Sequence, residues 1–311
     1  MNKTLNCKHI LITAILLAGF FVGSAQLSMK KDNDGIMITE NGNAVFLYHT
    51  QPKNLNGEYE RCNYIHPLYS IKGKVLTEDF PSDHLHHRGV FWAWHQVWIG
   101  DQRIGDPWEI KHFKQEVTEV EFSKHGSVSV VLRAEVNWLS DLWKKNGMEV
   151  PYLKENSEIT VWPVNGNVRR IDFEIRLLAL EEGLKLGGSE DEKGYGGFSV
   201  RAILPDDVLF TGPDGAVRPE ETQVQSPGFI NVSGSLEANN NPGGIVIVDH
   251  PDNPGYPQPW ILRAKNSMQN AAWPGREPVS VSTTEPLVLK YSLLIYSGKL
   301  NAKKIEKIMQ E

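Results

Sequence analysis

Two stretches of the chain alternate so regularly that they set the fold class. Between Ser127 and Leu139, Val128, Val130, Leu132, Ala134, Val136 and Trp138 share one face, and Ser129, Arg133, Glu135 and Asn137 share the other. Between Val168 and Leu177, Ile171, Phe173, Ile175 and Leu177 oppose Arg170, Asp172, Glu174 and Arg176. Strand side chains point alternately to opposite sides. A period of two with one polar face therefore predicts antiparallel strands covering a core on one side. Asn165-Gly166-Asn167 predicts a hairpin that joins the second stretch to a strand at Thr160-Val161-Trp162.

The rest of the pattern agrees. Gly35 to Tyr48 predicts an opening hairpin, and Val90 to Ile99, Gly244 to Val248 and Leu287 to Tyr296 predict further strands. Helical spacing is nearly absent until Ile305, Ile308 and Met309, which predict a short C-terminal helix. Many short strands with Gly, Pro and Asn between them indicate an all-β chain, a large antiparallel β-sandwich. With no internal repeat and no linker, residues 26–311 read as one domain.

Residues 1–25 read differently. Lys3 and Lys8 precede an apolar run from Ile10 to Val22, and Gly23-Ser24-Ala25 offers the small residues of a cleavage site. The run is shorter than the roughly 20 residues a spanning helix needs. The expectation is a cleaved signal peptide, a mature start near Gln26, and a periplasmic or secreted protein. Losing two lysines takes the net charge from −6 to −8, and no Lys/Arg tract offers a footprint for nucleic acid. Only Cys62 survives cleavage, so no internal disulfide can form, and a buried, inert thiol is expected.

Candidate chemistry concentrates in Asp83-His84-Leu85-His86-His87-Arg88-Gly89, which runs into Phe91-Trp92-Ala93-Trp94-His95. Four of the ten histidines fall within these residues. Imidazole exchanges protons near neutral pH or ligates a metal. A carboxylate such as Asp83 orients such a ring, and a guanidinium such as Arg88 holds an oxyanion. His84-Leu85-His86 is also half of a divalent-metal site, to be completed by a distant residue such as His250. Lys193-Gly194-Tyr195-Gly196-Gly197 is not a phosphate loop, because it lacks the required Gly/Lys order and opens no helix. It reads either as a turn into a strand or as a pocket rim carrying Lys193 and Arg201.

Three motifs in this order and spacing carry a family resemblance. They are the histidine stretch, Lys193-Gly194-Tyr195-Gly196-Gly197-Phe198-Ser199-Val200-Arg201, and Asp249-His250-Pro251-Asp252-Asn253-Pro254 followed by Pro259-Trp260 and then Asn270 to Pro274. The chain resembles the PmoA family, a bacterial domain of unknown function (DUF6807), over most of its length. Tyr195 departs from that family's usual pattern. The resemblance implies a β-supersandwich similar to galactose mutarotase and a setting in carbohydrate degradation. A methane-oxygenase role does not fit a chain left without spanning helices once the signal is removed.

The expectation is thus an exported carbohydrate-active enzyme doing histidine-based acid/base chemistry on a sugar or oligosaccharide, as lyase, hydrolase or epimerase. Asp83, His84, His86 and His87 are the catalytic candidates. Arg88, Trp92, Trp94, His95, Lys193, Arg201, His250 and Trp260 are the substrate-binding candidates. The alternatives are a non-catalytic carbohydrate-binding protein and a metal-dependent hydrolase or lyase with His84 and His86 as ligands.

Overall fold

The computed structural model describes residues 26–125, 128–265 and 268–310, so the expected signal peptide of residues 1–25 lies outside the described residues. Among the described residues, one sheet runs Lys114–His125, Ser129–Leu139, Leu153–Val161, Val168–Ala179, Leu287–Ser297, Gly243–Asp249, Phe229–Gly234, Leu209–Gly212, Gly215–Ala216. The other large sheet runs Leu27–Lys31, Gly35–Glu40, Asn43–His49, Tyr64–Leu68, Val90–Ala93, Gly197–Arg201, Met268–Ala271, Trp260–Ile261. A smaller sheet runs Val279–Ser280, Leu184–Gly187, Gln96–Ile99, Gln102–Gly105. The chain is an all-β sandwich built from antiparallel pairs, with one short C-terminal helix. No helix among the described residues is long and apolar enough to cross a membrane.

The alternation does what it predicts. Ile171, Phe173, Ile175 and Leu177 are buried, while Arg176, on the opposite face, is exposed. They meet Val90, Trp92, Phe198 and Val200 of the second large sheet in one apolar cluster. Phe198 stacks on Tyr291 at 4.6 Å between ring centroids, and burying such a ring stabilises the fold by about 1.5–3 kcal/mol. The hairpin at 165–168 closes with reciprocal backbone bonds between Asn165 and Val168, and Gly166 sits at φ +62°. Asn301 caps the helix Ala302–Gln310 by accepting from the Lys304 amide at 3.0 Å. Ile305 of that helix then packs on Val168, Val246 and Leu294, on the outer face of the first sheet.

Among the buried carboxylates, Glu155 sits between the tryptophans of the core. Glu155 is fully buried and accepts from Asn63 Nδ2 (2.8 Å), Trp92 Nε1 (2.9 Å), Trp138 Nε1 (2.8 Å) and the Ser157 hydroxyl. Burial pushes its pKa up, and these four donors work against that push. Cys62 is buried as expected, and burial raises its thiol to about 12.

Two local expectations are corrected. Val128 is 54% exposed in a turn just before its strand. The stretch Val90 to Ile99 is two strands in different sheets, broken at Trp94-His95. There the backbone leaves the sheet ladder: the Trp94 carbonyl accepts from the Trp108 amide (3.0 Å), and the His95 carbonyl accepts from Arg103 Nη2 (2.8 Å). That break carries His95 out over the sheet's outer face.

Candidate active site

The outward side of Val90–Ala93 is covered by a second apolar layer of Tyr64, Phe91, Ala93, Trp108, Ile261 and Met268, with Tyr195 against it. The histidines sit on this layer. Gly89 makes the approach possible, since a Cβ there would lie 2.0 Å from the Ile65 carbonyl oxygen. The Gly89 carbonyl accepts from the Arg201 amide at 2.7 Å, which sets Arg201 beside His87 although the two are 114 residues apart.

The segment before Gly89 is not extended. It turns twice, with the His84 amide donating to the Pro81 carbonyl (3.0 Å) and the His87 amide donating to the His84 carbonyl (2.9 Å). All three rings therefore converge. His84 and His87 stack at 4.7 Å with 4° between planes, and His86 meets them edge-on at 5.7 and 4.6 Å. The four expected catalytic residues come together, with Arg201 as their hub. Its Nε donates to Glu78 (2.7 Å), Nη2 donates to Asp83 (2.7 Å), and Nη1 donates to His87 Nδ1 (3.2 Å).

These bonds fix protonation. A guanidinium only donates, so His87 Nδ1 accepts and its proton sits on Nε2. Burial holds His87 down to about 2, reinforced by His86, His84 and Arg201. Burial likewise holds His86 at about 3, with His84, Arg61 and His95 adding to it. Both rings are neutral in working solution. Asp83 is held down to about 2: partial burial pushes it up, and bonds from His84 and Arg201 outweigh that push. Asp83 accepts from His84 Nδ1 at 2.8 Å, so His84 Nε2 keeps its lone pair on a side chain 46% exposed. His84 is the solvent-facing ring of the group.

A second imidazole–carboxylate pair lies alongside. His95 Nδ1 donates to Asp106 Oδ2 at 3.0 Å, and Asp106 Oδ1 caps the following turn by accepting from the Glu109 amide at 2.9 Å. The His95 ring stacks on Trp108 at 5.5 Å, with Tyr195 edge-on at 4.8 Å. Burial raises the Tyr195 phenol to about 12. Trp108, Tyr195 and Asp106 were absent from the sequence candidates. The Asp106-Pro107 dipeptide and the departure at Tyr195 are the sequence signals that could have found two of them.

Several candidates are corrected by burial. Arg88 is fully buried, with Phe80's ring 3.4 Å away and bonds to the Leu85 and Tyr59 carbonyls, so no oxyanion reaches it. Arg201 is 2% exposed, and each of its three guanidinium nitrogens already donates to a protein partner. Trp92, Trp94 and Trp260 are interior, their Nε1 groups bound to Glu155, the Trp273 carbonyl and the Ser226 carbonyl, and they offer no face to a sugar. His49 is buried and stacks on Tyr64 at 4.4 Å. Lys193 is partly exposed and ion-pairs with Asp191 at 3.7 Å on the neighbouring loop.

His250 lies elsewhere. It lines a concavity with Thr160, Asp172, Lys290 and Ser292 on the outer face of the nine-stranded sheet, with the core between it and the other histidines. It cannot complete a metal site with His84 and His86. Among the described residues, no group of three or more His, Cys, Asp or Glu side chains is placed to hold a metal ion.

What the outer face of the eight-stranded sheet assembles is an imidazole cluster with two carboxylate-oriented rings. Residues 35–310 match a family of unknown function, DUF6807, and the chain belongs to that family. No curated protein matches the chain at a significant level.

Proposed function

We propose that the protein is an exported carbohydrate-active enzyme that uses His84, oriented by Asp83, for acid/base chemistry on a sugar or oligosaccharide. The observation that carries this reading is the His84 ring: half exposed, bonded through Nδ1 to Asp83, with a free Nε2 lone pair and neutral His86 and His87 behind it. A protein that only bound sugar would have little use for an oriented, solvent-facing proton acceptor. The resemblance of the three sequence motifs to the PmoA family and to galactose mutarotase-like supersandwich proteins favours the same substrate class, and the signal-like residues 1–25 favour export. Lyase, hydrolase and epimerase steps all use a positioned proton carrier.

The test is conversion of a defined panel of neutral and uronate-containing oligosaccharides, followed by chromatography and mass spectrometry. Wild type should convert at least one member. His84→Gln should lower its turnover by about 10²–10⁴-fold while ligand affinity is kept. Binding without conversion by wild type would make this a sugar-binding protein, and neither binding nor conversion would end the carbohydrate reading.

A further inference from the structure

One acceptor in this region has no donor. His95 is 9% exposed, and its Nε2 is buried without a hydrogen-bond partner. Buried polar atoms are nearly always bonded, so each exception calls for an explanation. The tautomer sharpens the point. Asp106 as a carboxylate only accepts, so the proton it shares with His95 is on Nδ1, and in the neutral ring the orphaned Nε2 is a bare lone pair. Arg103 steadies the arrangement by donating to the His95 carbonyl (2.8 Å) and lying 3.6 Å from Asp106 Oδ2. His86 is close enough that a proton on His95 would further disfavour one on His86. Trp108 fixes the ring plane from below.

Packed edge-on against His95 at 4.8 Å is Tyr195, half-buried, at the end of the loop that precedes Gly197–Arg201. We propose that Asp106 and His95 form the second acid/base dyad of this site, whose Nε2 accepts the substrate's proton once a bound ligand displaces the Tyr195 ring. Catalytic contacts are often incomplete until a ligand is in place. In the step, one proton leaves a substrate O–H or C–H bond for Nε2 and the bonding pair stays on the substrate. The imidazolium that forms is stabilised by Asp106. His84 Nε2, which faces solvent, takes up a solvent proton and delivers it to the substrate, and His95 then releases its own proton to solvent, so the protons balance and no oxidant or reductant is consumed. The identity of the reaction as sugar chemistry rests on the proposed function, whereas the dyad itself does not.

The test separates the two. In ¹⁵N-histidine-labelled wild type, two-bond ¹H–¹⁵N spectra should show His95 protonated at Nδ1 only and His87 at Nε2 only. Diethyl pyrocarbonate, mapped by peptide mass spectrometry, should spare His95 in wild type and modify it at least tenfold faster in Tyr195→Ala. Adding Asp106→Asn should cut that gain, because an amide that donates to Nδ1 moves the proton to Nε2. A His95 protonated at Nε2, or one still unreactive in Tyr195→Ala, overturns the dyad whatever the glycan panel shows. With a converted glycan, His95→Gln should lower kcat at least 100-fold with KM within threefold. Retained kcat would also overturn it. A wild type that converts nothing removes the sugar reading and leaves the dyad to the first two measurements.

Discussion

Acid should unfold this protein through its buried histidines, and the size of the effect follows from their protonation. His86 and His87 are held at about 3 and 2 by burial, against an ordinary value near 6.5. The folded state therefore refuses protons that the unfolded chain takes up. Their contribution to stability is full above the ordinary imidazole range and is lost as pH falls below it. One proton of difference is worth about 1.4 kcal/mol per pH unit, so each ring costs about 2 kcal/mol between pH 7 and pH 5, and the pair about 4. Typical domain stabilities are about 5–15 kcal/mol, so this is a large share. The window is well chosen, because Asp83, held near 2, stays charged throughout it. The perturbation is His86→Gln/His87→Gln, in which the amide at 87 can still accept from Arg201. Urea unfolding at pH 7 and pH 5, with equal m-values, gives the loss for each protein. His49 and His66, also held down by burial, act equally in both proteins and cancel. Wild type should lose about 4 kcal/mol more than the variant. Equal losses would refute the reasoning, because the two rings would then be protonated in the fold.

Two further outcomes follow from single bonds. Arg201→Met leaves buried His87 Nδ1 without a donor and leaves Asp83 and Glu78 without their cation, costing about 2–3 kcal/mol at pH 7 after allowing for the partial exposure of both carboxylates. That deficit should shrink below about pH 4, where the stability Asp83 draws from its depressed pKa is lost in wild type as well. A pH-independent deficit in urea titrations would count against the ion-pair account. Glu155→Gln sets an amide N–H₂ against an indole donor from Trp92 or Trp138, a mismatch worth about 2–3 kcal/mol in chemical denaturation. Unchanged stability would mean that Glu155 is not serving as a four-fold acceptor.

The strands were legible because a sandwich with one wet face writes its geometry as alternation, as in Ile171 to Leu177. The imidazole cluster was legible because His84, His86 and His87 are neighbours in sequence. Its wiring was not. Arg201 reaches His87 through the antiparallel register that sets Val200 opposite Val90, and sequence spacing carries no register between strands so far apart. The tryptophans misled for a related reason: Trp92 alternates into the core in step with Val90, whereas Phe91 faces the site. His95 was hardest to place. The run from Val90 to Ile99 is apolar and branched enough for one strand, and only the tertiary bonds at Trp94 and His95 break it in two.

That break also decides how the histidines divide their work. An acid/base site needs two groups whose surroundings differ, because identical groups would share one protonation state. His86 and His87 cannot fill both roles, since burial keeps each neutral and His87 is bound at Nδ1 by Arg201. They form the floor. His84 and His95 are the rings whose Nδ1 is held by a carboxylate, leaving Nε2 to act. One is half exposed and the other is buried with Tyr195 packed edge-on against it, so the first meets solvent directly and the second is reached only once a ligand uncovers it. The same two-residue bend that ruins the strand at Trp94-His95 is what supplies the difference.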